Sequence, residues 1–216
     1  MITLSLIIAA GVLVFTYARV TKTHGLLGNL NRGALTLVTF FFGVFAVGIP
    51  FSELPFTLWI LSIVFFIHDT NSNIIGAVRD VQGDTAGGYK TTPVLYGIKN
   101  ALLISVILSL LYLSLTAFTI RTTHFLRYPM YFIVLFSTGI VILGIMYFIL
   151  FRSLHSLTRK QALIAHELFV GERIIFASAF LIGIISSTII GSMVFLLSFL
   201  LTLLAQHLLR EQYELT

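Results

Sequence analysis

Asp80 and Asp84 are the residues of this 216-residue chain best suited by type and spacing to do chemistry. The sequence holds three aspartates, Asp69, Asp80 and Asp84, and the last two lie within Asp80-Val-Gln-Gly-Asp84 at the end of a long apolar run. Acids are costly beside a bilayer, so a pair placed there points to something bound. Their spacing puts both carboxylates on one helix face, or on a helix end and the turn after it. Two such carboxylates are hard oxygen ligands that suit Mg²⁺, and Mg²⁺ in turn suits a phosphate or diphosphate.

The elements that must position this pair are membrane helices. With 58% hydrophobic residues, 10% charged residues and a mean hydropathy of +1.04, the composition excludes an ordinary soluble domain. A span needs roughly 20 mostly apolar residues. Suitable runs occur near 2–19, 34–50, 55–77, 100–120, 129–151, 173–190 and 192–208. The weak break at Ile190-Gly191 leaves six spans as the alternative to seven. Only helices or closed barrels satisfy the backbone in lipid, and the short alternating segments of a barrel are missing. The expected fold is therefore all-α, a polytopic transmembrane helix bundle of about seven spans, with one membrane domain over 1–216.

The net charge of +5 does not indicate nucleic acid, because the basic residues form no patch interleaved with aromatics. Topology accounts for them better. In the seven-span reading one set of helix ends carries Arg19, Lys22, Arg32, Arg79, Lys90, Lys99, Arg152, Arg159, Lys160, Arg173 and Arg210, against Arg121 and Arg127 on the other. Eleven against two places the acidic pair in the cytoplasm, the amino terminus outside and the carboxyl terminus inside. With no cysteine, disulfides and thiolate metal sites are excluded. Apolar residues follow Met1 almost at once, with no basic segment before them and no clear cleavage site after. A signal peptide is not expected, and an incomplete start is.

The third run is unusual for its polar second half, His68-Asp69-Thr70-Asn71-Ser72-Asn73, followed by Gly76 and Arg79-Asp80. At ~100° per residue Asp69, Asn73 and Asp80 fall within roughly 40° of one another. That register predicts that Asp69 and Asn73 line a cavity with the acidic pair, whereas Thr70 and Ser72 are expected to make interhelical hydrogen bonds. His68 is expected to be a packing residue. The segment Tyr17–Arg32 reads as a polar, basic cytoplasmic connection, either an anchor or a source of cations near a diphosphate.

Two motifs fall short. Gly83-Asp-Thr-Ala-Gly-Gly88-Tyr89-Lys90-Thr91 lacks the contiguous Gly-Lys-Ser/Thr of a P-loop, and no strand precedes it. His166-Glu167-Leu-Phe-Val170 has valine where a zinc protease needs its second histidine. Together with Glu172 and Arg173 it is expected to open an interfacial helix.

The pattern Asp80-x-x-x-Asp84-x-x-x-Gly88-x-x-Thr91-x-Pro93-Val94, ending at Gly97, resembles the second aspartate-rich motif of the UbiA family of intramembrane prenyltransferases. Gly28-Asn29-Leu30 resembles part of the family's cytoplasmic segment two helices earlier. The resemblance implies the last seven helices of a nine-helix bundle, and transfer of an isoprenoid from its diphosphate to an aromatic or lipid acceptor. Two acidic motifs would hold Mg²⁺ over the diphosphate. The family's first motif, N-x-x-x-D-x-x-x-D, belongs on a helix that would precede Met1. The family's early tyrosine and lysine stand four apart. Here Tyr17 and Lys22 stand five apart, with Thr21 at the expected place.

On this resemblance Asp80 and Asp84 are the catalytic, metal-holding pair, and Arg79, Lys90 and Lys22 neutralise phosphate oxygens. Asn73, Tyr17 and Asp69 complete the candidate substrate contacts. The expected partners are a prenyl diphosphate, a hydrophobic acceptor and the bilayer. The alternatives are a catalytically incomplete homologue and a non-enzymatic membrane carrier or lipid-binding protein. The transporter version lacks the expected repeats and paired broken helices.

Overall fold

Among the described residues the apolar runs fold as seven long helices and one short one. They are α1 (Ile2–Arg19), α2 (Leu26–Ala46), α3 (Phe56–Ala86), α4 (Thr92–Tyr96), α5 (Ile98–Thr123), α6 (Pro129–Arg152), α7 (Arg159–Ile184) and α8 (Thr188–Tyr213). This computed structural model describes residues 2–213, with side chains through 208. Met1 and the side chain of Arg210, both used in the topology, lie outside those residues. Among the described residues there is no strand, and α1, α3, α5, α6 and α8 are long and apolar enough to cross a membrane.

Four boundaries differ from expectation, each for a local reason. Helix α2 opens at Leu26 rather than near 34, so Gly28, Asn29, Asn31 and Arg32 are helical rather than part of a connection. Gly25 permits this turn through a positive φ of 54°. Helix α3 continues to Ala86, carrying Asp80 and Asp84 on one uninterrupted helix. Its 31 residues rise about 46 Å, more than the ~30 Å of hydrocarbon, so its last turns project beyond the apolar layer.

Helix α7 starts at Arg159, not near His166 or residue 173. A capping box fixes the start: Thr158 Oγ1 accepts from the Gln161 amide at 3.3 Å, and Gln161 Oε1 accepts from the Thr158 amide at 3.0 Å. Glu172 is consequently buried in the middle of the helix, and Arg173 is removed from the helix end that the charge asymmetry assigned to it. The final break falls at 185–187 rather than at Ile190-Gly191.

The helices cluster into two compact units, Met1–His124 and Phe125–Thr216. In the first unit α2 packs on α1 and α3, and α3 packs on α5. Gly33 sets the α2–α3 approach. A Cβ there would lie 2.6 Å from the Phe66 carbonyl oxygen and would also collide with Thr70 Oγ1. Polar groups stitch the other side of α3: Asn71 Nδ2 donates to Ser109 Oγ at 2.8 Å, and Ser105 Oγ donates to Asn71 Oδ1. His68, fully buried, meets Tyr112 edge to face with ring centroids 4.9 Å apart.

The second unit is assembled from α6, α7 and α8. Its centre is a ring cluster in which Phe180 packs edge-on against both Phe132 and Phe176, at 5.2 and 5.3 Å. The loop entering α6 is tied to the end of α7, where the Gly183 carbonyl accepts from the Arg127 and Tyr128 amides at 2.8 and 2.9 Å.

Candidate metal and diphosphate site

The carboxy-terminal end of α3 builds the site. At ~100° per residue Asp80 and Asp84 project from the same face one turn apart. Asp80 is half-buried and Asp84 is buried. Arg79 forks onto Asp80, with Nε on Oδ1 at 2.8 Å and Nη2 on Oδ2 at 2.7 Å. This bidentate geometry fixes one carboxylate and brings a guanidinium to the helix end.

The second carboxylate meets a cation from a distant part of the chain. After α1 the chain makes a short 3-10 turn, Thr21–Thr23, which projects Lys22 toward α3. Its Nζ lies 3.6 Å from Asp84 Oδ1 and 4.1 Å from the centroid of the Tyr89 ring. Such an ammonium–aromatic contact steadies the charge without consuming a carboxylate oxygen. The Gly25 amide donates to the Lys90 carbonyl at 2.8 Å, which ties the early turn to the segment after α3.

Beneath these groups Asn29 is the junction. Its Nδ2 donates to Asn73 Oδ1 at 2.8 Å, and its Oδ1 accepts from the Thr92 hydroxyl. One buried amide thus joins α2, α3 and α4, and its donor and its acceptor each have a partner. Asn73 is engaged in this network.

The remaining motif residues shape the backbone. Gly88, at φ 71°, turns the chain just after α3, and the Tyr89 amide donates to the Asp84 carbonyl at 2.8 Å. Thr91 precedes α4, Pro93 lies in its first turn, and Gly97 at φ 81° allows α5 to follow directly. Much of the pattern around the two acids therefore serves to end one helix and begin two others.

The other expected residues are distributed unevenly. Asp69 lies on the same face of α3 but eleven residues before Asp80, roughly 16 Å along the axis, too far to share one ion with it. Tyr17 lies under the Arg32 guanidinium, 5.6 Å from its ring centroid, beside an Asn31–Thr16 hydrogen bond of 3.0 Å. Lys90 contributes its carbonyl to the loop tie, while its side chain is exposed. Thr70 bonds the Phe66 carbonyl of its own helix at 2.8 Å rather than reaching across. The interhelical polar contact belongs to its neighbour Asn71.

Sequence reasoning gave no role to Thr92 and Tyr89. Their signal is their place inside the spaced motif, between Gly88 and Pro93, where a hydroxyl and a ring can face the acidic helix.

The donor set fits a partly hydrated Mg²⁺. One or two carboxylates commonly hold this ion, with water and phosphate oxygens filling its other positions. No group of three His, Cys, Asp or Glu side chains suited to a metal occurs among the described residues. The hydroxyls of Thr21 and Thr91 are buried without a hydrogen-bond partner, one in each of the two segments tied by Gly25 and Lys90. These are the unsatisfied polar atoms that an oxyanion or its bound water would satisfy.

Residues 1–171 match the model of the UbiA prenyltransferase family. The chain belongs to this family. With five helices long and apolar enough to cross a bilayer, this UbiA member is an integral membrane protein. It is also similar to curated relatives named digeranylgeranylglyceryl phosphate synthase. The one from Methanobrevibacter smithii is 31% identical over 104 residues, covering 47% of this chain and 35% of the relative. The one from Thermococcus sibiricus is 32% identical over 102 residues, with the same coverage. The one from Thermococcus kodakarensis is 32% identical over 106 residues, covering 49% of this chain and 36% of the relative. The match thus spans about a third of the length of these relatives. No solved structure matches.

Proposed function

We propose that this UbiA-family chain is a membrane prenyltransferase, moving an isoprenoid from its diphosphate to a lipid or aromatic acceptor. The observation that carries the reading is the meeting of Lys22 with Asp84 and Tyr89. It brings cation and acid from separate helical hairpins to one polar mouth, as a metal-bridged diphosphate requires. Asp80 and Asp84 are the residues that would hold Mg²⁺. When bound, the ion neutralises charge on the departing diphosphate.

The chain's own residues account for the rest. Cleavage of the allylic C–O bond leaves the electron pair on the diphosphate oxygen and positive charge on the isoprenoid. Arg79 and Lys22, each beside a carboxylate, would turn toward phosphate oxygens, with the exposed Lys90 as a third cation. Asn73 and Asn29 hold the three helices in register beneath the mouth. Tyr17, paired with Arg32, steadies the early turn, and Asp69 lies deeper along the same face. The apolar flanks of α3 would accommodate the isoprenoid and exclude the water that would otherwise quench a carbocation. The charge asymmetry assigns this mouth to the cytoplasmic side of the cell membrane. The names of the relatives make a prenylated glyceryl phosphate the first acceptor to test.

The test is transfer of a labelled prenyl diphosphate to that acceptor in membranes containing the chain. Activity that requires Mg²⁺ and is lost in D80N and D84N supports the reading. Transfer indifferent to both substitutions refutes the site. A second reading, a homologue that binds diphosphate without transferring the prenyl group, is favoured by one observation. Both acids are already ion-paired within the chain. Saturable, Mg²⁺-dependent diphosphate binding with no product would select it.

A further inference from the structure

Tyr89 follows three residues after the end of α3, and its side chain is 38% exposed at the mouth. Three local features bring its ring there. Helix α3 ends with the Gly87 amide donating to the Gly83 carbonyl at 2.8 Å, and Gly88 at φ 71° then turns the chain back. The Tyr89 amide is thereby returned to the Asp84 carbonyl, at 2.8 Å. The third feature is the bare Cα of Gly87. A Cβ there would lie 3.0 Å from both Cδ2 and Cε2 of the Tyr89 ring, so the missing side chain is the seat on which the ring lies.

The ring's partner is fixed independently. The turn that carries Lys22 is tied to the segment after Tyr89 by the Gly25 amide on the Lys90 carbonyl, at 2.8 Å. Gly28 lets the same turn pack closely, because a Cβ there would lie 2.7 Å from the Thr21 carbonyl oxygen. Lys22 Nζ then sits 4.1 Å from the ring centroid and 3.6 Å from Asp84 Oδ1. The second distance exceeds that of a hydrogen bond, so Asp84 attracts the ammonium without claiming one of its donors. The ring face attracts the charge through its quadrupole. Asp84 therefore meets Tyr89 twice, directly through its carbonyl and by way of Lys22 through its carboxylate. The N–H groups of the ammonium stay available to the oxygens of an anion.

From this closed arrangement we infer that Tyr89 is a positioning residue for Lys22, holding the ammonium where diphosphate oxygens enter the mouth. The inference rests on the reading of the mouth as a diphosphate site and adds a residue that sets its affinity. A lysine head rides on a flexible four-carbon stem, and without the ring each binding event would have to gather it again. The contact is to the face of the ring. Phenylalanine should therefore serve in place of tyrosine, and an aliphatic side chain should not.

The experiment takes the full chain in nanodiscs through two measurements. The first is NMR of the four lysines after dimethylation with carbon-13, a modification that keeps their charge. The Lys22 signal, identified by its loss in K22R, should carry a ring-current shift that Y89L removes and Y89F retains. G87A, which crowds the ring, should reduce that shift. The second is calorimetric titration with inorganic diphosphate in the presence of Mg²⁺. Y89L should weaken binding about fivefold, the worth of an exposed ammonium–aromatic contact, and Y89F should leave it unchanged. K22A should weaken binding at least as much, and adding Y89L to K22A should cost nothing further. A Lys22 signal indifferent to Y89L, or Y89F behaving as Y89L does, would overturn the positioning role. So would a Y89L loss that persists in full beside K22A, since the ring would then meet the ligand itself. Diphosphate binding that is unchanged in K22A, with the Lys22 shift still present in the parent chain, would instead sink the diphosphate reading of the mouth and leave the contact purely structural.

Discussion

The two compact units of this protein solve the problem of helix association in lipid by different means. Within Met1–His124 the seams of α3 are directional: Asn29 bonds Asn73 and Thr92 on one side, and Asn71 bonds Ser105 and Ser109 on the other. Within Phe125–Thr216 the central seam is made of rings, Phe132, Phe136, Phe176 and Phe180. Lipid is as apolar as leucine, so burial alone separates few arrangements of helices there, and packing or hydrogen bonds must do so. Hydrogen bonds fix register tightly, which suits the unit that must align a lysine with an aspartate from another hairpin. Ring packing supplies contact area while tolerating small shifts.

That contrast is open to attack, beginning with its largest consequence. D84N or D80N should lower prenyl transfer on the order of 100-fold or more, the scale of losing a main electrostatic contributor in an active site. Helicity and thermal unfolding in detergent should stay near wild type. A parallel loss of folding would mean that the acids are structural and that the two units differ less than proposed. F176A should do the reverse within the second unit, costing about 3 kcal/mol of stability, because truncating a fully buried ring leaves a cavity. Thermal melts would show this.

N29L should affect both readouts. It strands the Asn73 amide and the Thr92 hydroxyl, at a cost of ~1–3 kcal/mol, and it loosens the mouth, so stability and transfer should fall together. A melt unchanged from wild type would show that the amide junction does not organise the first unit. The smallest effect is expected for N71A, roughly 1 kcal/mol, from two interhelical polar contacts that each average about 0.6 kcal/mol in a membrane. A loss comparable to that of F176A would instead make hydrogen bonding the stronger of the two devices.

Much of the fold was legible because membrane helices declare themselves by length and hydropathy. The runs near 2–19 and 129–151 match α1 and α6 almost residue for residue. The misplaced boundaries share a cause. Asp80 and Asp84 on α3, Asn29 on α2, and Glu167 and Glu172 on α7 are all polar residues on helices that continue past the apolar run. A hydropathy reading ends a helix where lipid would end, whereas backbone hydrogen bonding and capping end it elsewhere.

For the site, spacing put Asp80 and Asp84 on one helix face or on a helix end and the turn after it, and the helical period aligned Asn73 and Asp69 with Asp80. The period carries no information about distance to other elements. It therefore grouped Asp69 with a carboxylate far along the same helix and did not reveal that Asn73 answers to Asn29.

What the sequence determined by itself is what local covalent geometry and solvent preference dictate. That includes an all-helical membrane chain, an acidic pair one turn apart, and glycines at Gly88 and Gly97 where the backbone takes positive φ. Tertiary structure alone decided that Lys22 reaches Asp84, that Tyr89 backs the lysine, and that one asparagine joins three helices. These groups lie tens of residues apart, and their proximity depends on how close two helices approach and at what register. At Gly33 that approach is set by the absence of a single Cβ, a constraint no periodicity records.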